Sequence, residues 1–121
     1  MSIINLTQHS ATTEQKELGV VELNANAKAD VKALLTFAKV PSKHELGIRA
    51  KFITNLARSS GCTSALIGGA PYFMSALERE LKDAGITPVY SFSVRKSEET
   101  TQPDGSVIKT NIFRHGGFVY A

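Results

Sequence analysis

"TSALIGGAPYFMSAL", residues 63–77, decides the fold. Its first half is small and apolar, which reads as a buried strand over 63–71 that turns sharply at Gly68 and Gly69. Pro71 is suited to the first position of a helix, where its missing N–H would lack a partner anyway. Phe73, Leu77, Leu81 and Ala84 then recur at helical spacing, and Gly85 closes the helix. A strand, a glycine turn and an amphipathic helix in direct succession is one unit of an α/β sheet.

Working outward, similar units appear on either side. Residues 3–8 are rich in β-formers and read as a strand, and "VVEL" (20–23) as a second. Between them Thr12 and Gln15 have the spacing of a capping box, so a short helix is expected from Thr12 to Gly19. Val31, Leu34, Leu35 and Ala38 set a helix over 28–38, which Pro41 breaks. Ser42 to Glu45 caps the next helix, with Leu46, Ala50, Ile53 and Ala57 on one stripe and an end at Gly61. After Gly85, "TPVYSFSVRKS" (87–97) alternates, with Val89, Ser91, Ser93, Arg95 and Ser97 on one face and Tyr90, Phe92 and Val94 on the other. "QPDGS" (102–106) is a turn, and "VIKTNIFRH" followed by "GGFVY" returns as the partner strand. The expected fold is therefore α/β: one small Rossmann-like domain over residues 1–121, a mostly parallel sheet with helices on both faces and a C-terminal antiparallel β-hairpin.

Composition narrows the function classes. The chain has 121 residues, 42% hydrophobic and 21% charged, as in an ordinary globular protein. No run approaches the ~18 apolar residues of a membrane span, and no basic segment with an apolar core opens the chain, so neither a membrane partner nor a secretory leader is expected. The single cysteine, Cys62, allows no internal disulfide, which fits a reducing cytoplasm, and reads as a small buried hydrophobe. A net charge of +3 suits a phosphate-bearing partner but falls short of the basic stripe of a duplex-DNA binder. The excess of cations over residues 39–58 reads as a solvated helix face.

Ligands of open α/β sheets sit outside the carboxyl ends of the parallel strands. The first strand ends in Thr7, Gln8 and His9, whereas Ser10 and Thr12 belong to the helix start and need no further role. The third ends in Gly68, Gly69, Ala70 and Pro71, and the fourth carries Ser93 and Arg95. "GGAP" is either a plain tight turn or a place where backbone approaches an anion. It is not a P-loop and contains no GxGxxG. His9 and His115 are candidates for proton transfer, against the alternative of histidines satisfied by backbone; His44 is assigned no role. Arg95 and Arg114 are candidate phosphate ligands, and strict alternation allows only one of Arg114 and His115 to point inward. Glu14, Glu22 and Asp30 are scattered, so no metal and no other cofactor is expected.

"INLTQHSATTEQ" (4–15) resembles the start of small CRISPR-associated proteins of the CARF-like and ring-nuclease group, and "GGAPYFMSALERELKDAGITPVYSFSVRKS" (68–97) resembles their glycine-containing turn and following strand less specifically. The terminal hairpin departs from their plainest layout. The resemblance implies a homodimer that binds cyclic oligoadenylate, a second messenger of type III CRISPR immunity. It further implies metal-independent cleavage by 2′-hydroxyl attack, with Thr7, Gln8, His9 and Gly68 to Pro71 in the site. Such small versions are carried by mobile elements to switch the signal off. The alternatives are a non-catalytic sponge or sensor for the same ligand, and a mobile-element interaction protein with no nucleotide ligand.

Overall fold

The computed structural model describes residues 2–121, apart from the side chains of Lys96 and Phe113. Three short parallel strands form one side of the sheet: β1 (Ile3–Asn5), β2 (Val20–Val21) and β3 (Ser64–Leu66). Two long strands, β4 (Thr87–Thr101) and β5 (Val107–Tyr120), complete one five-stranded sheet in the order β2-β1-β3-β4-β5. All pairings are parallel except that of β4 with β5. The expected α/β architecture, with its mostly parallel sheet and terminal hairpin, is thus the observed one.

The helices follow from their caps. Thr12 accepts from the Gln15 amide while Gln15 reaches back to the Thr12 amide, starting α1 (Thr13–Glu17) as the capping box predicts. Helix α2 runs Ala25–Leu34 rather than 28–38, because Asn24 caps it by accepting from the Ala27 amide. Ser42 caps α3 (Lys43–Ser59), and Pro71 opens α4 (Pro71–Asp83). No described helix is long and apolar enough to cross a membrane.

The two sheet faces are covered unequally. On one, α2, α3 and α4 bury Val31, Ala50, Ile53, Ala57, Phe73, Leu77 and Leu81 against Ile4, Leu6, Ala65 and Ile67. On the other, Ile3, Ala11, Val20, Leu66 and Val89 make a smaller cluster that Phe118 closes. Thr54 is the misfit of the α3 stripe: it is buried, and its Oγ1 has no hydrogen-bond partner. Thr54→Val keeps the shape and removes the stranded hydroxyl, so it is expected to raise unfolding stability by about 1 kcal/mol. A urea midpoint that falls instead would show that the hydroxyl is satisfied.

Candidate functional site

At Asn5 the sheet hands over to the loop that carries the first candidate residues. Asn5 is buried, yet every polar atom of its side chain is used. Its Nδ2 donates to the His9 carbonyl (2.7 Å) and to Glu22 Oε1 (2.6 Å), while its Oδ1 accepts from the Thr7 amide (3.0 Å) and the Thr7 hydroxyl (2.7 Å). The Thr7 hydroxyl lies 3.0 Å from the His9 carbonyl as well, so the loop is folded back on β1. Glu22 holds the far end by accepting from the Ala11 amide and pairing with Lys28.

Partial burial pushes the Glu22 carboxyl up, but the hydrogen bonds from Lys28, Asn5 and the Ala11 amide outweigh it and leave the group below its ordinary range. A carboxyl lowered on folding stabilises the fold above its unfolded value of about 4.3 and loses that contribution as pH falls through the folded value. Urea midpoints measured downward from pH 6 should therefore drop more in the wild type than in Glu22→Gln. Parallel curves would mean that Glu22 contributes nothing to the loop.

The pinned loop and the glycine turn face each other across one cleft of about 420 Å³, lined by Thr7, Gln8, His9, Ser10, Thr12, Gln15, Leu66, Gly68 and Gly69. Five of the sequence-predicted residues are brought together here. Ser10 and Thr12, which the sequence reading left as helix start, line it too. The His9 ring is exposed and, among the described residues, unpartnered, so both nitrogens are open to a ligand. Opposite, the amides of Gly68, Gly69 and Ala70 donate to no described protein acceptor. Gly69 adopts φ 157°, and a Cβ there would press to 3.3 Å from the Met74 methyl. Ala70 is the N-cap of α4 and offers no side-chain cap bond. Pro71 lines a different groove on the far side of Gly69, with Met74, Ser75, Glu78, Arg79, Lys82 and Tyr90. There the Tyr90 hydroxyl donates to Glu78 Oε2 (2.5 Å), and burial together with that carboxylate raises the phenol far above its ordinary range.

A second cleft shares Thr12 with the first and is completed by Thr13, Glu14, Ile112, Arg114 and His115. What brings His115 here is a β-bulge. Phe92 pairs with Gly117 and Ser93 with His115, which leaves Gly116 as the extra residue. Because of that insertion His115, rather than Arg114, shares the face of Ser91 and Phe118. A Cβ on Gly116 would come within 2.7 Å of Val94 and 3.0 Å of Phe92, so only glycine fits the bulge as built.

His115 is engaged at one nitrogen and enclosed at the other. Its Nδ1 lies 3.2 Å from Ser91 Oγ, and its Nε2 is buried without a partner. The ring leans on Phe118 at 4.7 Å. Gln15 Oε1 accepts from the Thr12 amide and its Nε2 donates to Ser91 Oγ (3.2 Å), so α1, β4 and β5 are tied through three side chains. In this arrangement neither nitrogen of His115 is presented to a ligand. Arg114 is exposed and lines the second cleft, whereas Ser93 and Arg95 line neither.

The residues that the sequence did not single out are Asn5, Glu22, Gln15 in its second role, and Ser91. An asparagine in an otherwise apolar strand was the one available signal. Among the described residues no group of three or more His, Cys, Asp or Glu side chains gathers where it could hold a metal ion. A family model described as the Uncharacterized protein MJ1673 family matches residues 1–119. Neither the curated proteins nor the solved structures contain a match to the chain.

Proposed function

We propose, for a chain that belongs to the MJ1673 family, that the cleft at the ends of β1 and β3 binds a phosphodiester and that its preferred ligand is a cyclic oligoadenylate, which it cleaves. The observation that carries this reading is the convergence of Thr7, Gln8, His9, Gly68 and Gly69 on one cleft, with an unpartnered imidazole facing free backbone amides. Backbone amides left without a protein acceptor suit a phosphate, whose oxygens accept only. In this reading the amides of Gly68 and Gly69 hold the non-bridging oxygens and His9 takes the proton of a ribose 2′-hydroxyl. The 2′-oxygen attacks the neighbouring phosphorus, the bond to the 5′-oxygen breaks, and that oxygen leaves with a proton from water in the open cleft. The product is a linear strand ending in a 2′,3′-cyclic phosphate. Arg114, beside the shared Thr12, is placed better than Arg95 to neutralise the developing charge, and His115 serves to hold β5 against β4. A homodimer belongs to the same reading, since a two-fold ring matches a two-fold pair of clefts.

Incubation with cyclic oligoadenylates of several ring sizes in EDTA, followed by chromatography, tests it. The expected result is linear product carrying a 2′,3′-cyclic phosphate. Tight binding with the ring recovered intact would support the sponge or sensor instead. Neither binding nor cleavage, with a specific protein captured, would support the interaction protein.

A further inference from the structure

The cleft that holds His9 does not end at Gly69. That residue is exposed, and it also opens the larger groove of about 650 Å³ on the far side of the glycine turn. Gly69 has no side chain to stand between the two, and the Met74 methyl lies so near that a Cβ there would come within 3.3 Å of it. From the turn the groove follows one face of α4, through Ser75, Glu78, Arg79 and Lys82, with Tyr90 also lining it.

The chemistry of the groove suits the same kind of ligand. Cations on a helix are usually a solvated face, but these two line a groove that starts at the proposed phosphate site. Arg79 makes no ion pair among the described residues, and Lys82 reaches Glu78 only at 3.9 Å. Glu78 is the one acid among the lining residues, and the Tyr90 hydroxyl donates to it at 2.5 Å. Two cations against one engaged acid leave the groove net positive. The same bond holds the Tyr90 ring in place, and with Met74 it gives the groove an apolar surface for a base. A positive groove lined by an aromatic ring is how single strands of nucleotides are held without sequence readout. Pro71 and Arg79 stand about 12 Å apart along the helix axis at ~1.5 Å per residue, so one phosphate cannot occupy both ends.

We propose that this groove is a second nucleotide subsite. A ring of more than two adenylates crosses Gly69, keeps one phosphate at the Gly68 and Gly69 amides beside His9, and sets a following phosphate on Arg79 and Lys82 with its base against Tyr90. A compact ring of two is held by the first cleft alone. The assignment rests on the phosphodiester reading of that cleft and adds the size of ring that the chain prefers.

Adenylate rings carrying 2′-O-methyl groups have no hydroxyl to attack with, so binding is read without cleavage. Affinities of the full chain for such rings of two and of four adenylates, measured in EDTA over ~50–200 mM salt, test the subsite. The wild type should bind the ring of four at least about tenfold more tightly than the ring of two. Arg79→Ala combined with Lys82→Ala should remove that advantage and leave the ring of two within about twofold. For the ring of four it should also flatten the dependence of log Kd on log salt by about one in slope, which a structural role would not do. Both side chains are exposed, and thermal melts check that the variant is folded. Equal wild-type affinity for the two rings, or equal loss or no loss in the variant, overturns the subsite and leaves the first cleft standing. No binding of either ring by the wild type overturns the cleft and the subsite together.

Discussion

His9→Ala should slow ring cleavage by roughly 10²–10⁴-fold, the usual contribution of a positioned general base. The loop is held through the His9 carbonyl and amide, not through its ring, so the substitution leaves the fold in place. Ligand affinity should change little in comparison, because the Gly68 and Gly69 amides remain. The loss should thus appear in kcat rather than KM, and in the single-turnover rate of the chemical step. His115→Ala is the control: with Nδ1 on Ser91 and Nε2 buried, its loss should act through the stability of the β4–β5 hairpin. An unchanged rate in His9→Ala would remove that residue from proton transfer.

The second large effect is expected at Asn5. Asn5→Ala deletes four hydrogen bonds at once, leaves the Thr7 amide without its acceptor and takes one donor from Glu22. A buried network cut in this way costs about 2–4 kcal/mol, readable as a lower urea midpoint. It should also release the loop, so ligand binding weakens even at temperatures where the protein remains folded. Asn5→Asp is no rescue, because its carboxylate keeps the acceptor but loses both donors and faces Glu22. Wild-type stability in Asn5→Ala would mean that the loop is held by something else.

The fold was legible where local chemistry and tertiary packing agree. Thr12 with Gln15, Ser42, Pro71 and the stripe Ala50, Ile53, Ala57 each declare a helix through a cap or a period, and the structure uses them as expected. Boundaries slipped where a cap had no apolar period behind it: Asn24 starts α2 ahead of Val31. The cleft was legible in part, because the rule about strand ends depends only on element order. Its support was not, since Asn5 and Glu22 lie on different strands and meet through topology. Parity along β5 was the other obstacle. A strict two-residue period cannot foresee that Gly116 inserts one residue, and that insertion decides where His115 points and how little of it is left free. The extra length of β4, out to Thr101, comes from cross-strand pairing with β5 rather than from any apolar run of its own.

The most direct measurement is a titration of the isotope-labelled chain with a cyclic oligoadenylate in EDTA, followed by amide NMR. The binding cleft proposed here predicts the largest shifts at Thr7, Gln8, His9, Gly68 and Gly69, with smaller ones at Arg114 across Thr12. Saturable shifts elsewhere, with these amides unmoved, or no shifts at any ring size, would contradict it.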